Sequence, residues 1–347
     1  MTNAAPRKEL LCTLGPSSLN RRVIRDLAAA GATTFRINMS HTEIRDLERV
    51  IHLVQDATEV PICLDSEGAQ MRTGRMRKGV TVTEGQHVRL VPDPDVGDGN
   101  VIPITPAFAI GKLALRARVS VDFDSVILRI ESLRGGSAEA TVLSGGSIGT
   151  RRAVTALPAP PLPAFSDKDL LAFRCGLLND IHQYALSFCE QPTSLLRLRE
   201  MVGSNSTLMA KIESRRGVRN LPRIAPLADA IIIDRGDLSR EVRITVIPML
   251  QKAIIRKANS LHVPVYVATN LLESMGDRRA PSRAEVNDVI NTLLDGAAGL
   301  VLASETAIGK YPVEAARMTV NLMREFEASY ESYHIDELLG SHPLRLS

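Results

Sequence analysis

LMAKIESRRGVRNLPRIAPLADAIIIDRGDLS, residues 208–239, decides the fold class. It opens on a short apolar run, LMAKI (208–212), crosses a polar stretch, and returns to a second apolar run, DAIII (229–233). Apolar runs of strand length separated by helical patterns build strand–helix–strand units, and a series of such units makes a parallel sheet. Both runs end in chemistry. Lys211 and Glu213 close the first, and Arg235, Gly236 and Asp237 follow the second.

The same rhythm continues in both directions. Toward the N-terminus lie ELLCT (9–13), a helix from Asn20 to Ala30 with Asn20 as N-cap and Gly31 as its stop, TTFRI (33–37), a helix from Thr42 to Ala57, and VPICL (60–64). A helix near 167–178 behind Ser166 leads to HQYALSF (182–188). Toward the C-terminus come VPVYVAT (263–269), AGLVLA (298–303) and a long helix from Pro312 to about Tyr333. Eight strands alternating with helices predict a TIM (β/α)8 barrel.

The texture changes between about Arg75 and Pro161. HVRLV (87–91), ARVSV (117–121), SVILRI (125–130) and AEATVL (138–143) alternate in pattern, and GDG (97–99), RGG (134–136) and SGG (144–146) punctuate them. This predicts a small all-β domain inserted after the third strand, with LPAPPLP (157–163) as a stiff return linker. The expected organisation is barrel over 1–74, insert over 75–161, barrel again over 162–334, and a tail over 335–347.

Composition sets outer limits. The chain has 347 residues, 44% hydrophobic, with no Trp, so its core is aliphatic. A formal net charge of +3 gives no global nucleic-acid or membrane signature. No run approaches the roughly 20 apolar residues of a membrane helix, and MTNAAPRKELL (1–11) lacks the apolar core of a secretion signal. Cys12, Cys63, Cys175 and Cys189 form no CxxC pair, which suits buried thiols in a reducing compartment. The expectation is a cytoplasmic protein.

Barrel chemistry sits on the loops beyond the C-terminal ends of the strands. Arg36, Asn38, Ser40 and His41 lie there after the second strand, Asp65 and Ser66 after the third, and Thr269 at the end of the seventh. Residues 211 and 213 are two apart on a strand, so one cation and one carboxylate point the same way. Asp237 comes from the next strand, about 4.8 Å across the sheet. Two such carboxylates can hold Mg²⁺ with positions left for substrate oxygens. Arg36 and Lys211 can neutralise a phosphoryl group in flight, the main demand of phosphoryl transfer. Taken singly, each residue has a plainer reading: Arg36 as a surface arginine, Lys211–Glu213 as a structural ion pair, Asp237 as a helix cap. Their meeting on one barrel face favours the chemical reading.

These residues fall in motifs that resemble the pyruvate kinase family: CTLGPSS (12–18), RINMSH (36–41), LDSEGAQMRTG (64–74), LPAFSDKD (162–169), AKIESRRGV (210–218), DRGDLS (234–239), ATNLLESM (268–275), RAEVNDVINTLLDGA (283–297) and SETAIGKYPVEA (304–315), with GGSIGTRR (145–152) in the insert. The resemblance implies transfer of phosphate from phosphoenolpyruvate to ADP, giving pyruvate and ATP. Arg36 would bind the phosphoryl group, Lys211 would stabilise it near the enolate, and Glu213 and Asp237 would hold Mg²⁺ (or Mn²⁺). Backbone near Arg235 and Gly236 would receive the substrate carboxylate, and Thr269 would lie beside the carbon that becomes the methyl group. Asn38, Ser40, Asp65 and Ser66 would match a K⁺ site. Pro16, His41, Arg151 and Arg152 would be near the nucleotide. The family's usual C-terminal domain has no counterpart in the sequence, so effector control of the usual kind is not expected, while barrel contacts leave a homo-oligomer open.

The departures are specific. Glu67 stands for a lysine, Gln70 for a glutamate (which bears on K⁺), Asp234 for a small apolar residue, and Ala303-Ser304 for Ser-Gly; the usual DDG is DFD (122–124). Asp234 adds negative charge beside the carboxylate-binding turn. A Mg²⁺-dependent aldolase or lyase, and a non-catalytic or repurposed homologue acting on another enol phosphate, stay open as alternatives; the insert and Arg36 speak against the lyase.

Overall fold

The computed structural model describes residues 8–92, 96–122 and 124–329. The tail over 335–347 and the last turn expected for the long helix lie outside these residues. The chain divides into two compact units, 8–66 with 168–238 and 244–329, and 67–167 with 239–243.

The larger unit is a closed barrel of parallel strands: β1 (Glu9–Leu14), β2 (Thr34–Asn38), β3 (Ile62–Asp65), β4 (Gln183–Leu186), β5 (Thr207–Ile212), β6 (Ala230–Asp234), β7 (Val265–Ala268) and β8 (Gly299–Leu302). They follow one another around the ring in chain order, and β8 closes on β1 through Glu9↔Gly299 to Cys12↔Leu302. The TIM-barrel reading holds, strand for strand.

Local signals set the helix ends. Helix α1 (Arg21–Ala30) starts where the Asn20 side chain accepts the Val23 N–H. It stops at Gly31, whose φ of 113° is open to glycine and strained for other residues. Its face of Ile24, Leu27 and Ala30 is buried. Strand β5 runs into helix α2 (Arg215–Ile224) through Ser214, which accepts the Gly217 N–H at 3.1 Å. That cap follows directly on Glu213, the first residue past the strand, and fixes where the carboxylate leaves the sheet. Helix α3 (Arg283–Leu294) begins with a capping box made by Ser282 and Glu285. No helix among the described residues is long and apolar enough to cross a membrane.

The smaller unit is a second closed barrel, with strands Met71–Thr73, His87–Pro92, Val101–Thr105, Arg118–Val121, Val126–Arg134, Ser137–Ser144 and Ala153–Leu157. Its core is aliphatic, built around Val88, Ile102, Val119, Leu128, Ile130 and Val142. The unit starts at Glu67, earlier than the expected 75. The reason is pairing: Met71 and Arg72 bond across to Val154 and Ala153, and Thr73 pairs with Ile104. A three-residue strand without alternation carries too little pattern to be assigned from sequence.

Candidate active site

Side chains alternate along a strand, so residues two apart share a face. Inside the larger barrel, Leu11, Cys63, Ala185, Met209 and Ile232 belong to one apolar cluster. Two residues further toward the C-terminal ends stand Thr13, Asp65, Ser187, Lys211 and Asp234, all buried. Arg36 joins them from β2 and is 3% exposed. A polar layer thus caps an apolar one.

The layer is bonded throughout. Arg36 donates from Nη1 to Asp65 Oδ2 at 2.7 Å and from Nε to Thr13 Oγ1 at 2.8 Å. Lys211 Nζ donates to Asp65 Oδ2 at 3.2 Å and to Ser187 Oγ at 3.0 Å, and stands 2.8 Å from Glu213 Oε1. Ser187 Oγ donates to the Ser66 carbonyl at 2.7 Å, and the Ser187 N–H donates to Ser66 Oγ at 2.9 Å. Buried charges persist only when paired and hydrogen-bonded, and this network meets that condition.

Electrostatics follow from the crowding. Burial opposes the Lys211 charge, yet Asp65, Glu213 and Asp234 together hold its ammonium above its ordinary range. Burial, joined by the charges of Asp237, Asp234 and Asp65, raises the Glu213 carboxyl to about 8 against the opposing pull of Lys211. Asp234 lies below the usual carboxylate range despite its burial, held there by Lys211 and the Thr269 hydroxyl.

Glu213, Asp234 and Asp237 each offer an oxygen, and these oxygens lie within 4.8 Å of one another. Glu213 Oε2 accepts the Phe188 N–H at 2.7 Å. Its Oε1 is buried and makes no hydrogen bond, having only the ion-pair contact with Lys211. A buried carboxylate oxygen without a directional partner, beside two more carboxylates, fits a hard divalent cation. Asp237 belongs to the one-turn helix Arg235–Leu238 that follows β6, and the carboxylate at the strand end is Asp234.

The turn after β6 meets the end of β7. Asp234 Oδ1 accepts from the Thr269 hydroxyl at 2.7 Å, the Gly236 N–H at 3.2 Å and the Asp237 N–H at 3.4 Å. Gly236 has no room for a side chain, since a Cβ there would lie 2.9 Å from Thr269 Cγ2. Thr269 and Asn270 have φ of 77° and 57°, values a β-branched threonine adopts only under constraint. Arg235 supplies that constraint. It donates to the Thr269 carbonyl at 2.7 Å and the Asn270 carbonyl at 3.0 Å, and pairs with Asp288 of α3 at 2.7 Å. Its guanidinium is therefore committed to holding the loop.

Other expected site residues are more dispersed. Asn38 and Asp65 are register partners on neighbouring strands, but the Asn38 side chain accepts the Ser40 N–H while Asp65 turns to Arg36 and Lys211. Pro16 lies in the turn after β1, where Ser18 and Leu19 donate to the Gly15 carbonyl, and His41 is exposed beyond β2. Arg151 and Arg152 belong to the smaller unit, where Arg152 stands 3.6 Å from Asp122. The sequence reading missed Thr13 and Ser187; the alternation Leu11–Thr13 and Ala185–Ser187 was the available signal.

Residues 5–316 match the family model described as pyruvate kinase, barrel domain. The chain belongs to the pyruvate kinase family. It is 32% identical to plastidial pyruvate kinase 3, chloroplastic, of Arabidopsis thaliana over 94% of its own length and 59% of that protein's. It is 30% identical to the pyruvate kinase of Thermotoga maritima, over 95% of this chain and 73% of the relative. Against the pyruvate kinase of Mycobacterium tuberculosis the figures are 33%, 90% and 68%. The chain thus spans three-fifths to three-quarters of the length of these pyruvate kinases, and the matched region holds every residue of the polar layer.

Proposed function

We propose that the chain is a pyruvate-kinase-type phosphotransferase, moving a phosphoryl group from phosphoenolpyruvate to ADP with a divalent cation, Mg²⁺ or Mn²⁺. The observation that carries this reading is Lys211, buried and charged among Asp65, Glu213 and Asp234 at the C-terminal end of the barrel. A structural ion pair needs one partner. A lysine with three carboxylates around it, and Arg36 at the same Asp65, suits a site where a divalent cation taken up by the carboxylates joins the two side-chain cations in meeting a trianionic substrate.

In this reading Glu213 and Asp237 hold the cation. When bound, the cation polarises substrate oxygens and offsets charge on the transferring group. Arg36 binds the phosphoryl oxygens, and the bonds to Thr13 and Asp65 fix its guanidinium plane beforehand. Lys211 stabilises the phosphoryl group and the enolate oxygen. Ser187 and Asp65 hold the Lys211 ammonium in place, and its raised affinity for protons keeps it a cation. Thr269 faces the enolate carbon. Pro16 and His41 serve the nucleotide, and Asn38, Ser40, Asp65 and Ser66 serve a monovalent cation.

The test is a coupled assay for pyruvate formation from phosphoenolpyruvate and ADP with Mg²⁺, run with and without K⁺. Metal-dependent turnover is expected. No turnover under either condition would overturn the reading and favour the second one, a family member repurposed for another ligand. That second reading rests on Asp234, whose carboxylate fills the turn after β6.

A further inference from the structure

Asp234 Oδ1 gathers three donors from two strand ends: the Thr269 hydroxyl and the N–H groups of Gly236 and Asp237. Three donors converging on one oxygen are what a site offers a ligand's carboxylate or oxyanion. Here the chain fills that place itself. The place also has a built neighbourhood. Lys211 Nζ stands 4.0 Å from Asp234 Oδ2, and one carboxylate oxygen each of Glu213 and Asp237 lies within 4.8 Å of an Asp234 oxygen. The seat therefore lies against the oxygens that fit a cation.

We propose that Asp234 is an internal competitor for the carboxylate of an incoming ligand, and so a specificity-determining residue of this site. The inference deepens the phosphotransferase reading, since phosphoenolpyruvate brings the carboxylate. Two costs follow for any external carboxylate. It must displace Asp234 from hydrogen bonds to a charged acceptor, each stronger than a neutral one. It must then share the site with the displaced carboxylate. Asp65, Glu213, Asp234 and Asp237 already outnumber Arg36 and Lys211, so the cation has to be present before an anionic ligand is attracted at all. The Thr269 hydroxyl is drawn into the same contact, since its proton is directed at Asp234. Release of Asp234 also frees that hydroxyl.

The test is calorimetric titration of oxalate, a small carboxylate probe, into protein saturated with Mg²⁺, with inorganic phosphate titrated in parallel. Asp234→Ala is expected to bind oxalate at least about tenfold more tightly than the parent, which is about 1.4 kcal/mol. Phosphate, which does not need this seat, is expected to change far less. Asp234→Asn keeps the acceptor and the shape but loses the charge, and a gain between parent and Ala is expected. It also serves as the folding-safe variant. Oxalate affinity that is unchanged or lower in both variants at saturating Mg²⁺ overturns the proposal. A parallel measurement of phosphoenolpyruvate turnover separates the two readings. If oxalate tightens in the variants and no protein makes pyruvate, the seat stands and the kinase reading falls. If the parent turns over and Asp234→Ala lowers its KM, both stand.

Discussion

The larger barrel buries Arg36, Asp65, Lys211 and Glu213 inside one end, each 4% exposed or less, whereas the smaller barrel buries no charged side chain among its described residues. Its buried polar groups are the hydroxyls of Thr73 and Ser120, both hydrogen-bonded to backbone. Both are closed sheets, so closure itself does not call for charge. The difference lies in what the strands lead into. Parallel strands all exit at one end into separate loops, and each can bring a polar residue to the same point. In the smaller barrel all pairings but that of His87–Pro92 with Val101–Thr105 are antiparallel, so most neighbours exit at opposite ends, and an aliphatic interior is the stable outcome. Charge burial in the larger barrel is thus a local expense at one end of a sheet stabilised by the apolar layer beneath it.

Four substitutions and one titration can break or sharpen this contrast. The largest effect is expected for Lys211→Met, which removes the cation that three carboxylates share. Turnover should fall by about 10³-fold or more while metal-dependent ligand binding survives. Near-parental turnover would mean that the buried charge is structural, as in any barrel. Next, Leu128→Ala in the smaller barrel should lower unfolding free energy by about 2–5 kcal/mol in a denaturant melt. A loss under about 1 kcal/mol would mean that its core carries less of the stability than its burial implies.

A cation held by the polar layer should stabilise the fold by mass action, by about 2.7 kcal/mol at a hundredfold excess over Kd. Glu213→Gln should abolish most of that gain in a thermal melt. An equal gain in the variant would place the cation elsewhere. The pH dependence has a definite sign. The proton that burial keeps on Glu213 up to about 8 must leave before a cation can bind. Apparent Mg²⁺ affinity should therefore rise with pH toward about 8 and level off above it, by up to about tenfold per unit where one proton is displaced. A flat profile below that point would remove Glu213 from the cation's ligands. The smallest effect belongs to a residue outside both interiors. Ser282→Ala breaks the capping box of α3 and should cost about 1 kcal/mol without a distinct effect on chemistry.

Much of this was legible in the chain. The strands of the larger barrel follow from short apolar runs, and α1 follows from Asn20 and Gly31, because strand periods and helix caps are local properties. Lys211, Glu213, Arg36 and Asp65 were also readable, since each stands at a strand end and two-residue alternation fixes its side. Met71–Thr73 was not, because its identity as a strand of the smaller barrel depends on partners about 80 positions away. Nor could sequence tell that Arg235 braces Thr269 and Asn270 through Asp288.

Sequence alone determined the periodicity, the barrel arithmetic and the residue types available for phosphoryl chemistry, all of which depend on near neighbours. Only the tertiary structure decided what Asp234 touches. Its neighbours in the chain supply two N–H donors, but the hydroxyl of Thr269 comes from 35 residues away and the ammonium of Lys211 from another strand. A hydrogen bond depends on distance and direction in space, and the ring closure of eight parallel strands sets both.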